Sequence, residues 1–126
     1  MRDMNAATNG PVVLVVEDEF LVRMQAVEMI EEAGFNAIEA NNADEAIKLL
    51  EIRKDILIVF TDIEMPGSMD GLRLARAIRD RWPPIELILT SGKHQLSSNE
   101  IPARGHFVPK PYSLDALVTT LRRLAA

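Results

Sequence analysis

Short unbroken apolar runs alternate along this chain with longer segments in which apolar residues recur every three or four positions. The short runs have the length and β-branched content of strands that are buried on both faces of a sheet. They predict buried strands at Val12–Val16 and Ile56–Thr61, and the segments Phe35–Ala40, Ile85–Thr90 and His106–Pro109 are predicted as three further strands. Strands that alternate with helical segments are typical of an α/β domain built on a parallel sheet.

The longer segments carry helical periodicity and end signals. They predict helices over Phe20–Ala33, from Asn42 towards Arg53, over Met69–Trp82, and after the capping residue Ser113. In the first helix we expect Phe20, Met24, Val27 and Ile30 to share the apolar face, and Gly34 to form the C-terminal cap.

One connection does not fit this alternation. Only 12 residues, Lys93–Arg104, join the fourth and fifth strands, and they must supply both loops and any helix. Ser97, Ser98 and Asn99 are poor helix formers, and Pro102 stops a helix. The helix expected between these strands is therefore short, disordered or absent.

The composition bounds the class of protein. The chain has 126 residues, of which 48% are hydrophobic and 26% charged, which suits one soluble domain. We expect a flexible tail at residues 1–10 and one domain over residues 11–126. The net charge is −5, the basic residues are scattered, and cysteine is absent. These features predict a cytoplasmic protein with no direct nucleic-acid contact, no membrane span and no disulfide.

Polar side chains follow the predicted strands at the point where each strand ends. Glu17, Asp18 and Glu19 come after the first strand, Asp62 after the third, Ser91 after the fourth and Lys110 after the fifth. Ligands of parallel α/β sheets bind beyond the carboxyl ends of the strands, so we expect these side chains to lie close together.

This set of residue types indicates phosphoryl chemistry on a carboxylate. Crowded carboxylates raise one another's pKa, and a hard divalent cation such as Mg²⁺, which prefers oxygen ligands, resolves the conflict. A carboxylate can also act as a nucleophile and form an aspartyl phosphate. An ammonium and a hydroxyl can then stabilise the phosphoryl oxygens.

Four motifs, each placed after a predicted strand, resemble the receiver domain of two-component response regulators. They are VVLVVEDE (12–19), FTDIEMPGSMDG (60–71), ILTSG (88–92) and FVPKPYS (107–113), and the resemblance covers about residues 11 to 124. It implies a flavodoxin-like three-layer sandwich whose five-stranded parallel sheet has the order 2-1-3-4-5, the order that similar regulators show.

The resemblance also implies which residues form the acidic site. Asp62 would be the phosphoacceptor. Asp18 would bind Mg²⁺ directly, Glu17 would bind it directly or through water, and Asp62 and the backbone carbonyl of Glu64 would complete the protein ligands. The loop after Asp62 is one residue longer than is usual in the family, with Gly67-Ser68 as the apparent insertion.

Three further roles follow from the same resemblance. Ser91 would donate a hydrogen bond to one phosphoryl oxygen, and Lys110 would pair with another. Phe107 matches the family's aromatic switch residue, although an aromatic side chain in a half-buried strand is as readily part of the core. The Lys110–Pro111 peptide bond would be cis.

The function implied is a phosphorylation switch. A histidine kinase or phosphotransfer protein would phosphorylate Asp62, and the change would alter a surface that binds another protein, with no turnover of a separate substrate. The alternatives are a receiver-fold interaction domain that works without phosphorylation and the receiver portion of a hybrid histidine kinase. A haloacid-dehalogenase-like phosphatase is disfavoured, because no second acid lies two positions beyond Asp18.

Overall fold

The computed structural model describes residues 10–65, 69–93 and 95–126. In these ranges five parallel strands form one sheet in the order β2-β1-β3-β4-β5. The strands are β1 (Val12–Val16), β2 (Asn36–Ala40), β3 (Ile56–Asp62), β4 (Glu86–Ser91) and β5 (Gly105–Pro109). The predicted fold class and strand order are confirmed. Of the predicted tail only Gly10 is described, and the Gly67-Ser68 insertion also lies outside the described residues.

Helices connect the strands and cover both faces of the sheet. They are α1 (Phe20–Glu32), α2 (Ala43–Ile52), α3 (Gly71–Arg81) and α4 (Leu114–Ala125). Asn42, Asp70 and Ser113 cap α2, α3 and α4, each by accepting a hydrogen bond from a backbone amide three positions later. None of the helices in the described ranges is long and apolar enough to cross a membrane.

Alternate residues of the strands pack into two separate cores. Val13, Val15 and Phe60 face α1 and α4, where they meet Ile30, Leu117 and other buried side chains. Leu14, Val59 and Leu89 face α2 and α3. Because both faces are covered, side chains of the central strands are apolar at nearly every position, and polar groups are left to the strand ends.

The predicted packing face of α1 is wrong in its first two turns. Phe20 is 57% exposed and Met24 is 40% exposed, as is their neighbour Leu21 at 66%. The buried residues of α1 are Ala26 and Ile30 instead. Ala26 and Ile30 are four positions apart and lie on a different side of the helix from Phe20 and Met24, so these two larger residues face solvent.

No helix is present between β4 and β5 in the described residues, 92–93 and 95–104, as the sequence predicted. The end of this connection is fixed by Arg79 of α3, whose guanidinium donates hydrogen bonds to the carbonyls of Ala103 (2.5 Å), Pro83 (2.6 Å) and Ile85 (2.6 Å). Hydrogen bonds from Arg79 therefore fix the end of the β4–β5 connection, where the described residues form no helix that could pack on the sheet.

Candidate functional site

Two acids and a lysine that are far apart in sequence meet at the carboxyl edge of the sheet. Lys110 Nζ lies 2.6 Å from Asp62 Oδ2 and 3.6 Å from Glu17 Oε1. Glu17 is 6% exposed and Asp62 is 5% exposed, so both carboxyl groups are largely removed from water. The three side chains follow or end β1, β3 and β5, which is why the strand-end rule brings them together.

The cluster formed by Glu17, Asp62 and Lys110 contains more acidic than basic groups. Burial raises the pKa of Glu17 to about 7, and the nearby Asp62 carboxyl adds to the rise, while a backbone hydrogen bond from Glu19 and the charge of Lys110 oppose it. Burial acts to lower the pKa of Lys110, but its hydrogen bond to Asp62 and the two acidic charges raise it overall. One ammonium group thus faces two buried carboxyl groups.

Backbone contacts fix the direction of the Asp62 side chain. The amide of Glu64 donates to Asp62 Oδ1 at 3.0 Å, which leaves Oδ2 to Lys110. Behind Asp62, Gly71 begins α3 so close that a Cβ on it would lie 1.8 Å from the Asp62 carbonyl oxygen. Position 71 therefore has no room for a side chain.

The Ser91 hydroxyl lies at the same edge but is engaged with an acid. It donates a short hydrogen bond to the Glu64 carboxylate, and its oxygen accepts from the Lys93 amide at 3.1 Å. The prediction for Glu64 concerned only its backbone carbonyl. Its side chain was missed because this pairing depends on how the loop after β3 folds back on β4.

The remaining predicted residues lie close to this edge. Phe107, in β5, is partly buried and packs against the core that faces α2 and α3, so its role as a switch stays a prediction. The Lys110–Pro111 bond is cis, as predicted. The next residue, Tyr112, packs edge-on against Phe60 with ring centroids 5.6 Å apart, which places the Lys110 loop over β3.

The donor set fits a hard divalent cation. Glu17 and Asp62 offer carboxylate oxygens beside the exposed Asp18, and the excess of buried acid over base favours a further positive charge. No group of three or more His, Asp or Glu side chains in the described ranges is arranged to hold a metal ion. The full set of Glu17, Asp18, Asp62 and the Glu64 carbonyl therefore stays a prediction.

Arg23 was not predicted to be part of the site, yet it contacts the acidic loop formed by residues 17–19. Its guanidinium donates to the Glu17 carbonyl at 2.7 Å, to Glu39 at 2.9 Å and to Asn41 at 2.8 Å. These partners lie up to 18 positions away along the chain, and no local pattern signals such a contact.

An apolar surface adjoins the charged cluster. Phe20, Leu21 and Met24, the exposed residues that begin α1, lie at this edge of the sheet. Beside them an open cleft of about 460 Å³ lies between α1 and the loop after β5, lined by Val22, Gln25, Met29, Gly92, Lys110, Pro111 and Tyr112. The lysine that contacts Asp62 is thus also part of the wall of this cleft.

Comparison with known families and proteins agrees with this geometry. The family model of the response regulator receiver domain matches residues 13–122. Sensor kinase CckA of Brucella abortus is 37% identical over 116 residues, which are 89% of this chain and 12% of that protein. A putative NtrX-like response regulator of Rickettsia bellii is 34% identical over 115 residues, which are 88% of this chain and 24% of that protein. The chain thus spans a quarter or less of these curated relatives.

Solved structures show the same similarity in three dimensions. The response regulator TrrA of Thermotoga maritima, solved in complex with Mg²⁺ and BeF, aligns with a TM-score of 0.82 and 32% identity. The alignment covers 90% of this chain and 97% of that one.

Proposed function

The chain belongs to the family of response regulator receiver domains and is a component of two-component signalling; on this premise we propose that Asp62 is its phosphoacceptor. In this proposal a histidine kinase or phosphotransfer protein donates the phosphoryl group, Mg²⁺ is required, and residues 11–126 form the receiver unit. Phosphorylation then changes a surface that binds another protein. The cytoplasmic location, and the absence of nucleic-acid and membrane contacts, stay predictions.

The observation that carries the proposal is the contact between Lys110 and Asp62. Their charged atoms lie 2.6 Å apart although 48 positions separate them, and the buried Glu17 carboxyl lies 3.6 Å from the same ammonium. A buried acid that only stabilised the fold would need one counter-charge. A second buried acid beside the pair makes the cluster costly for stability and suited to binding a cation or a phosphoryl group.

The residues have defined parts in the proposed transfer. An Asp62 carboxylate oxygen attacks the phosphorus of a phosphohistidine; the new O–P bond forms as the P–N bond breaks, and the released imidazole takes up a proton. The Lys110 ammonium moves from Asp62 to a phosphoryl oxygen and stabilises its charge. Ser91 must give up its bond to Glu64 before its hydroxyl can donate to a second phosphoryl oxygen. Phe107 would respond to that movement.

The acids at the carboxyl edge of the sheet are the proposed metal ligands. Glu17, Asp18 and Asp62, with the Glu64 carbonyl, would hold the Mg²⁺, which when bound would neutralise part of the phosphoryl charge. The protein's own contribution is to keep two of these carboxyl groups buried and adjacent, so that their mutual repulsion favours the cation.

The phosphodonor protein would dock on the start of α1. The exposed Phe20, Leu21 and Met24 provide apolar contact area, and the adjoining cleft leads to Lys110. This continuity with the phosphoacceptor favours a phosphodonor over a downstream target as the occupant, because a donor must bring its phosphorus within bonding distance of Asp62.

We also propose that the chain turns over no separate substrate, which an assay for steady release of phosphate from nitrophenyl phosphate would test. The similarity to sensor kinase CckA favours a second candidate context, in which the chain is the receiver portion of a hybrid histidine kinase. Both contexts use the same chemistry at Asp62.

Incubation with acetyl phosphate tests the proposal directly. With Mg²⁺ present, intact mass spectrometry should show the gain of one phosphate, and chelation of the metal should prevent it. Asp62→Asn should not gain the phosphate, whereas the control Asp80→Asn, on the exposed face of α3, should behave as the parent. An equal gain in Asp62→Asn would refute the assignment.

A further inference from the structure

Arg23 joins four parts of the molecule next to the predicted metal ligands. It belongs to the second turn of α1, and its side chain is only 12% exposed. Its guanidinium contacts the first residue of the acidic loop (Glu17), a side chain of β2 (Glu39) and the start of the β2–α2 connection (Asn41). It also lies 5.6 Å over the ring of Phe20.

The contact with Glu17 is made to the backbone and not to the carboxylate. The Glu17 carbonyl shares a planar peptide unit with the amide of Asp18, so fixing the direction of that carbonyl also fixes where Asp18 begins. The other side of Glu17 is held too, because its amide donates to the Ala40 carbonyl at 3.2 Å. Arg23 thereby fixes the orientation of the peptide unit that joins the buried acid Glu17 to the exposed acid Asp18.

We propose that Arg23 is a positioning residue of the metal site: it ties the Glu17–Asp18 peptide to Glu39 and Asn41 and so holds the two acids in the orientation that Mg²⁺ binding requires. This inference rests on the proposed function, since it presupposes that these acids bind Mg²⁺. The planar fork of the guanidinium is essential to it, because one lysine ammonium cannot reach all of these acceptors in the same geometry.

The test is the Mg²⁺ affinity of the full chain, measured without phosphodonor by calorimetry or by NMR titration of backbone amides. Arg23→Gln and Arg23→Lys should each raise the Kd for Mg²⁺ by about tenfold or more, as is usual when the groups that orient metal ligands are lost. Asn41→Ala touches no predicted ligand and should produce a smaller rise in Kd. The control Arg81→Gln removes an arginine whose partners are Glu51 and the Trp82 ring, and should leave the Kd unchanged.

The outcomes separate this inference from the proposed function. If the parent chain binds no Mg²⁺, the proposed function itself is wrong. If the parent binds Mg²⁺ and the Arg23 variants bind it equally well, Arg23 has only a structural role, whatever their denaturation midpoints. Should Arg23→Gln fail to fold, Arg23→Lys and Asn41→Ala still decide the matter. At saturating Mg²⁺ the variants should regain most of the parent's phosphorylation rate, because the defect lies in binding the metal.

Discussion

Two arginines hold backbone carbonyls at opposite ends of the sheet. Arg23 holds the Glu17 carbonyl at the carboxyl edge, beside the acids, and Arg79 holds the Ala103, Pro83 and Ile85 carbonyls at the amino edge. Both arginines extend from helices. The length of β4, about 17 Å, separates the amino edge from Ser91 and the phosphoacceptor cluster.

The same kind of contact has different consequences at the two edges. At the amino edge the carbonyls belong to segments that contain no predicted site residue. Burial lowers the pKa of Arg79, and neither Glu17 nor Asp62 is close enough to affect it. There Arg79 holds the end of a connection that contains no helix in the described residues. Replacing Arg79 should therefore lower the free energy of unfolding and leave metal binding unchanged. At the carboxyl edge the carbonyl belongs to the acidic loop, and its release should affect metal binding as well.

The largest expected effect is at the carboxyl edge. Lys110→Ala removes the ammonium that would stabilise the phosphoryl oxygens, so the rate of phosphorylation by acetyl phosphate should fall by about 100-fold or more. Intact mass measured over time gives the rate. Lys48→Ala, an exposed lysine of α2, is the matched control and should keep the parent's rate. A Lys110→Ala rate equal to that of the control would contradict the role of Lys110.

The second effect is at the amino edge. Arg79→Gln loses charged hydrogen bonds to three carbonyls and should reduce the free energy of unfolding by about 1–2 kcal/mol, since water can replace part of them. Urea denaturation measures this loss, and Arg76→Gln, exposed on the same helix, is the control. The Kd for Mg²⁺ should not change. If Arg79→Gln weakens Mg²⁺ binding as much as Arg23→Gln does, the two edges are not independent.

A smaller effect should appear at the Ser91–Glu64 contact. Glu64→Gln weakens the hydrogen bond that holds the Ser91 hydroxyl and removes a negative charge from the path of the phosphoryl group. Phosphorylation should then become faster, by up to about tenfold, since the hydroxyl no longer has to leave a charged partner. Initial rates at saturating Mg²⁺ provide the measurement. A slower rate would mean that the Glu64 carboxylate assists the reaction.

The smallest effect concerns the first half of the β4–β5 connection. Ser97 there bonds the exposed Asn99 and Glu100 side chains, contacts that water can replace. Ser97→Ala should therefore change the free energy of unfolding by less than about 0.5 kcal/mol. Urea denaturation alongside Arg79→Gln gives the comparison. An equal loss in both variants would show that the whole connection, and not its Arg79-bound end, supports the fold.

The sequence was sufficient for the architecture and for the three residues that meet at the site. The apolar runs Val12–Val16 and Ile56–Thr61 are typical of strands buried on both faces of a sheet. The end signals Asn42, Gly34 and Ser113 predicted helix boundaries within a few residues of the observed ones. Because parallel strands end at the same edge of a sheet, assigning the strands was enough to predict that Asp62 and Lys110 lie close together.

What the sequence did not show depends on tertiary contacts. The start of α1 has large apolar residues on more than one side, and the sequence does not show which side packs on the sheet, so the exposure of Phe20 and Met24 was not predicted. The contacts of Arg23 and Arg79 join residues that no periodicity relates. Each depends on helices and strands already being in place.

Chemical mapping of the modified residue shows whether Asp62 carries the phosphoryl group. Borohydride reduction of the acetyl-phosphate-treated chain converts an aspartyl phosphate into homoserine, and tandem mass spectrometry then locates that residue. We expect homoserine at position 62 alone, formed only when Mg²⁺ was present. Homoserine at position 18 or at another aspartate, hydroxynorvaline at a glutamate, or a phosphate that borohydride leaves in place would contradict phosphorylation of Asp62.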